Sequence, residues 1–378
     1  LGVKAAGDKA DDVINALTQA RSEVPGVNLT AGQASVQAGS AEFAALQNLA
    51  ASKDPSRFYG PAGIKGQQAT ARLEAVRAIA KTPEELEAAI KTRSAVSGAN
   101  YGEAFKKNIK TDPELLAMSK NPYFADELPE AMKLAKANNI NPKENLTEFL
   151  HFIKEGLDAR LQSASRPDAP AISKATQSSI QEVKRKLVDW LGRKNPDYNA
   201  ARLEHIRLSR PINQMKVGQE IEQALSAPAT SAERASSFGT TVRQITNKIS
   251  KATGKPRIED LTSGQRQAVY AINEDFQRVS AFKELASAGA KNLETRIGAE
   301  VVPPTGFFQP AISAARSWIN KLLGTGHEQA LQKLAPIMAD PQQMARLMQA
   351  ATPKQRAVIE AMFAQYGTRG AIVAGAQQ

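Results

Sequence analysis

Four segments of the chain repeat one local pattern: a capping residue, proline at the first helical position, and Glu or Gln at the third. They are Thr82-Pro83-Glu84-Glu85, Asn141-Pro142-Lys143-Glu144, Asp340-Pro341-Gln342-Gln343 and Thr352-Pro353-Lys354-Gln355. The cap oxygen accepts one of the orphan amides of the first turn. Proline lacks an amide that would be unpaired there, and Glu or Gln can bond back to the cap's own N–H. Asp54-Pro55 and Asp112-Pro113 are weaker forms of the same signal. A chain that announces helices this often is expected to be all-α.

Apolar spacing agrees. From Leu146, the series Phe149, Leu150, Ile153, Leu157 and Leu161 follows the stripe of a one-sided helix. Ile180, Val183, Leu187, Trp190 and Leu191 mark a second face, interrupted by Lys184, Arg185 and Lys186. Val269, Ile272, Phe276, Val279, Phe282 and Leu285 form a third, which fits a core-facing helix or a short coiled-coil seam. Only Ala371-Ile372-Val373 and Val301-Val302 hint at extended chain.

Breaks in this pattern divide the chain. Residues 1–60 form an Ala/Gln-rich N-terminal helical segment, and 61–225 a main helical domain. The small polar stretch Ser226-Ala227-Pro228-Ala229-Thr230-Ser231 opens a second helical module, 226–300, that carries a long helix. Val302-Pro303-Pro304-Thr305-Gly306 opens a C-terminal module of short helices, 301–378. The expected architecture is an extended set of several small helical modules, with no fixed-period repeat. The chain opens at Leu1 without Met and without the apolar segment of a secretion signal, which leaves room for a longer parent polypeptide.

Several chemistries are set aside by composition. With no cysteine, disulfides, thiolate zinc sites, iron–sulfur clusters and cysteine nucleophiles are excluded. His151, His205 and His327 are too far apart in sequence to form a local metal pair, and no metal or cofactor is expected. No apolar run reaches the roughly 18 residues of a membrane-spanning helix. Gly63-Ile64-Lys65-Gly66 and Gly324-Thr325-Gly326 lack the spacing of a phosphate loop, and no nucleophile elbow occurs. Sequence order alone does not decide a Ser–His–Asp triad, but His205 reads as a polar-face or interface side chain rather than a general base. Arg346-Leu347-Met348-Gln349 is near a lytic transglycosylase tetrapeptide, yet its first Gly is replaced by Arg and no Glu-Ser acid motif precedes it. Met344, Leu347 and Met348 read instead as a packed helix face. The chain is expected not to be an enzyme.

Charge is concentrated. Of the +11 formal charge, most lies in residues 184–257, with 15 Lys/Arg against 6 Asp/Glu. Lys184, Arg185, Lys186, Arg193, Lys194, Arg202, Arg207 and Arg210, accompanied by Trp190 and Tyr198, are the candidate nucleic-acid-binding residues. Contact with phosphates needs positioned cations and no base-reading motif, so the partner class is DNA bound without sequence preference. For each cation singly, an internal ion pair or helix cap is the competing reading, with Glu204 and Asp197 as partners for Arg202 and Arg207. A second candidate, residues 307–323, places Phe308, Ile312, Ala315, Ile319 and Leu322 on one stripe, with Phe307, Trp318 and Leu323 beside it. Phe307, Phe308, Ile312, Trp318, Ile319 and Leu322 suit either docking onto a partner helix or lying on a membrane surface.

A family likeness runs through most of the chain. Leu29-Thr30-Ala31-Gly32-Gln33-Ala34, Phe43 and Leu46, Ala71-Arg72 through Ile79-Ala80-Lys81-Thr82, and Arg93 to Tyr101 resemble internal, or ejection, virion proteins of short-tailed bacteriophages. So do Asn195-Pro196-Asp197-Tyr198-Asn199-Ala200-Ala201-Arg202, Ser209-Arg210-Pro211-Ile212, and Leu331-Gln332-Lys333-Leu334 with Asp340-Pro341. The resemblance implies a homo-oligomeric protein of the virion that leaves the head with the genome and reaches the host envelope and periplasm. Its implied partners are portal, tail or other ejection proteins, DNA, and a membrane surface. It carries no catalytic residues over; some relatives include a lytic transglycosylase module, whose signature is not seen here. Two other roles stay open: a head, portal-region or tail component that remains in the particle, and a helical DNA-binding adaptor.

Overall fold

The computed structural model describes residues 2–163, 173–226, 231–250, 253–297 and 326–350. The Thr352-Pro353 signal, both hints of extended chain and the whole 307–323 candidate lie outside these residues. Among the described residues the fold is all-α. The helices are α1 (Gly2–Gln19), α2 (Ala31–Ala34), α3 (Ala41–Lys53), α4 (Pro55–Phe58) and α5 (Ile64–Ala80). Next come α6 (Pro83–Phe105), α7 (Pro113–Ser119), α8 (Pro122–Ala125), α9 (Leu128–Ala137), α10 (Leu146–Ser163) and α11 (Lys174–Lys194). Then follow α12 (Pro196–Ser226), α13 (Ser231–Asn247), α14 (Ser263–Ile297), α15 (Gly326–Met338) and α16 (Pro341–Ala350).

Proline signals set several of these starts. At α6, Thr82 Oγ1 accepts the amide of Glu85, and Glu85 Oε2 accepts the amide of Thr82 at 2.8 Å, closing a capping box. Asp340, Asp112 and Asp54 cap α16, α7 and α4 in the same sense. Asn141 differs. Its side chain accepts the amide of Lys143 at 3.1 Å within a turn, and α10 starts only at Leu146. Asn145 takes over as cap, accepting from Glu148 N and donating Nδ2 to Glu148 Oε2 at 2.6 Å. Two asparagine boxes stand in tandem, and the second, immediately ahead of the apolar stripe, prevails.

The chain forms two compact units. One gathers Leu1–Val76, Leu225–Phe238 and Gln267–Gln378; the other gathers Arg77–Ala224 and Gly239–Arg266. Segment 1–60 falls in the first, as does 301–378, while 61–225 and 226–300 contribute to both.

In the first unit, Leu17 of α1, Phe43 and Leu46 of α3, Phe58 of α4 and Met338 of α15 share one core. Met344 and Met348 of α16 complete it, the packed face that their spacing implies. Phe282 and Ala286 of α14 pack on Ala44. Gly32 must be glycine here: a Cβ would stand 2.4 Å from the Phe282 ring, and its amide donates to Gln47 Oε1.

In the second unit, both apolar stripes face a common core. Phe149, Leu150, Ile153 and Leu157 of α10 meet Ile180, Leu187, Trp190 and Leu191 of α11. Leu115 and Phe124 close the layer from α7 and α8. Each such side chain, fully buried, contributes about 1.5–3 kcal/mol, which is what keeps the polar side chains on the far faces of these helices in place.

Candidate functional site

The α11–α12 corner organises the polar half of the second unit. Asn195, with no exposed surface, ends α11 and caps α12. Its Oδ1 accepts the amide of Tyr198 at 3.1 Å, and its Nδ2 donates to the carbonyl of Ala104 at 2.8 Å. This delivers Tyr198 inward, where its hydroxyl lies 3.0 Å from His151 Nδ1. Tyr101 of α6 stacks on Phe105 at 5.8 Å, and its ring centre is 4.9 Å from His151 and 5.5 Å from Tyr198. Burial pushes the Tyr101 hydroxyl up to about 12 and the Tyr198 hydroxyl well above its ordinary value, so both remain protonated hydrogen-bond partners.

Beside these rings is a shared ion cluster. Asp158 of α10, only 2% exposed, pairs with Lys154 at 2.7 Å on its own helix and with Lys184 from α11. Burial opposes ionisation of this carboxyl, but the charges of Lys154 and Lys184 outweigh it and hold the group below its ordinary value. From α6, Ser97 Oγ lies 3.0 Å from His205 Nδ1, and Arg93 Nη1 donates to Ser209 Oγ at 3.4 Å. Arg93, Ser97, Tyr101, His151, Lys154, Asp158, Lys184 and His205 line one cavity of about 610 Å³. Val188 and Ile206 supply apolar wall, and Ser250 and Thr253, from the loop after α13, supply hydroxyls.

The eight candidate cations separate into two sets. Lys184, Arg185 and Arg202 line the cavity. Arg202 donates Nη2 to Asn199 at 3.2 Å rather than to Asp197 or Glu204, and its shielded Nε has no partner. The others face outward. Lys186 pairs with Glu182 at 2.8 Å, Arg207 with Glu204 at 2.6 Å, and Arg193 with Glu114 at 2.5 Å. Lys194 meets Asp112 at 2.9 Å, beside the Trp190 indole that donates to the same carboxylate. The backbone amide of Leu115, then Lys194, draws the Asp112 carboxyl down to about 2. Arg210 is exposed and unpaired among the described residues. Asp197 lies 3.8 Å from Lys107.

The residues that sequence reasoning did not single out are Arg93, Ser97, Tyr101, His151 and Lys154. Their signal is helical spacing: positions 93, 97 and 101 share one face of α6, the face that buries Ser97, and 151, 154, 155 and 158 repeat polar groups on α10 opposite its apolar stripe. Among the described residues no group of three or more His, Cys, Asp or Glu is placed to hold a metal ion. No described helix is long and apolar enough to cross a membrane. Searches against protein-family models, curated proteins and solved structures find no match to this chain.

Proposed function

We propose that this chain is a non-enzymatic, helical virion protein of a tailed bacteriophage that leaves the head with the genome and helps to form a conduit for DNA across the host envelope. One observation carries the reading: three of the segments that resemble ejection proteins sit at caps or corners of the fold, and a fourth is buried within α12. In Leu29-Thr30-Ala31-Gly32-Gln33-Ala34, Thr30 and Gln33 form a buried capping box. Asn195-Pro196-Asp197-Tyr198 builds the α11–α12 corner. Ser209 and Ile212 are fully buried, and Asp340-Pro341 starts α16. Capping and buried residues at these positions speak for an architectural role.

DNA contact would use the outward cations. Surface ion pairs such as Arg193–Glu114 are worth only about 0–1 kcal/mol, so their cations can exchange carboxylates for phosphates, and Arg210 need exchange nothing. Self-association, contact with portal or tail proteins, and contact with a membrane surface belong to the same proposal.

Mass spectrometry of full and emptied particles tests it. The protein should be present in full particles and lost from emptied ones. Retention at undiminished stoichiometry would replace this reading with that of a resident head, portal-region or tail component, which the same corners would serve. Duplex DNA binding should weaken with salt, and Arg193→Ala with Arg210→Ala should lower the salt slope by about one per lost contact.

A further inference from the structure

We infer that the cavity lined by α6, α10, α11 and α12 is a binding site for a phosphate-bearing ligand of nucleotide size, its anion met by Arg93, Arg185 and Arg202 and its planar part lying against Tyr101. The inference does not depend on the ejection role, which is decided by particle composition, whereas this site is decided by binding.

Charge is the first support. Five cations line the cavity, Arg93, Lys154, Lys184, Arg185 and Arg202, against three carboxylates, Glu155, Asp158 and Asp189. Asp158 is shared by two lysines, and Glu155 lies 3.6 Å from His151. Among the described residues, Arg93, Arg185 and Arg202 have no carboxylate within ion-pair distance, while Asp189 is the one lining acid outside an ion pair. Three guanidinium groups without carboxylate partners around one concavity, two of them half-buried, give it a positive potential that favours an anion. Guanidinium groups match the oxygens of a phosphate in pairs, better than ammonium groups do.

Preorganisation is the second. Ser209 meets Arg93, Asn199 meets Arg202 and Asp158 meets Lys184, so these three side chains have less freedom to lose on binding, while Arg185 is exposed and free to close on the anion. Shape is the third. A volume of about 610 Å³ falls within the ~300–1,000 Å³ of ligand pockets. The Tyr101 ring is held by Phe105 and His151, and nothing stands where a Cβ on the neighbouring Gly98 would lie. Ser97, Ser250 and Thr253 offer hydroxyls for the rest of the ligand.

A nucleotide unit has two sources, a free mononucleotide or the 5′ end of a DNA strand. Calorimetric titration of the full chain distinguishes them. The probes are dAMP, deoxyadenosine, and one oligonucleotide with and without a 5′-phosphate. Binding of dAMP is expected, with deoxyadenosine at least tenfold weaker. Arg93→Gln with Arg202→Gln should weaken dAMP about tenfold or more, each lost charge-assisted bond contributing. Asp189→Asn should act oppositely and tighten it roughly two- to fivefold by removing a like charge. Competition by the 5′-phosphorylated oligonucleotide alone identifies a strand end as the ligand; no competition by either identifies the free nucleotide. The proposal is overturned if the folded protein binds neither dAMP nor the phosphorylated strand below millimolar concentration. It also fails if the double glutamine variant, with an unchanged circular dichroism spectrum, binds dAMP as the parent does, or if Asp189→Asn leaves affinity unchanged or lower.

Discussion

Replacing Asn195 separates two jobs that one side chain performs. In Asn195→Ala, α12 loses the cap on the amide of Tyr198, and the Ala104 carbonyl loses the 2.8 Å donor that reaches it. Cap removal costs about 1 kcal/mol. A buried carbonyl deprived of a donor costs about 1–2 kcal/mol more, and the sum is ~2–3 kcal/mol. Asn195→Asp keeps the cap and adds a favourable charge at the helix start. It also turns a carboxylate oxygen towards the Ala104 carbonyl, at a site with no exposed surface. The acid should therefore be no better than alanine at pH 7 and should recover as pH falls, because a protonated carboxyl can donate where Nδ2 did. The sign follows from linkage: an acid whose folded-state pKa is raised stabilises the fold as protons are added. Urea unfolding followed by Trp190 fluorescence, in a Trp318→Phe background, reads the second unit alone. With a slope near 2 kcal/mol per molar urea, the midpoint should fall by ~1–1.5 M. A shift under ~0.3 M in Asn195→Ala, or an Asn195→Asp variant more stable than its parent at pH 7, would refute the reasoning.

Asp158→Asn should cost about 3 kcal/mol, because two largely buried lysines lose their common partner. The lysine charges outweigh burial and depress the Asp158 carboxyl, so its contribution is present above the unfolded carboxyl range and lost as pH falls through the lower folded value. Acid titration at fixed urea should show the parent losing stability more steeply than the variant; equal steepness counts against the cluster. Gly218→Ala would place a Cβ 2.4 Å from the Ala80 amide nitrogen and 2.5 Å from its Cα, where neither backbone can give. It should lower stability by ~2 kcal/mol, whereas Gly98→Ala, facing open space, should be neutral or stabilising by up to ~1 kcal/mol; thermal melts of the pair decide. Lys65, over the Tyr59 ring at 4.1 Å, is pulled down to about 8 by burial and by the charge of Lys283. Methyl-labelled lysine spectra should show its midpoint well below those of surface lysines, and a midpoint above 10 would sink the assignment.

Helix starts were legible where a single box precedes an apolar stripe, as at Thr82 and Asp340, because capping is decided within one turn. They were not legible where two boxes compete, as at Asn141 and Asn145, because the choice depends on which register lets Phe149 and Ile153 reach the α11 face. Ion pairs divide in the same way. Arg207–Glu204 and Lys186–Glu182 are neighbours on one helix and visible in the sequence. Lys184–Asp158 and Arg193–Glu114 join separate helices and follow only from packing. The cavity was hidden for that reason: its arginines come from α6, α11 and α12, and only assembly shows that they converge.

The interleaving of the two units has a mechanical consequence. Both ends of the chain belong to the first unit, and the second is made wholly from interior sequence. The boundaries fall inside α5, α12, α13 and α14, so no single cut releases either unit whole. Melting of any of these four helices would therefore be felt in both units at once, in the one that holds the core around Phe43 and Met344 and in the one that holds the arginine-lined cavity.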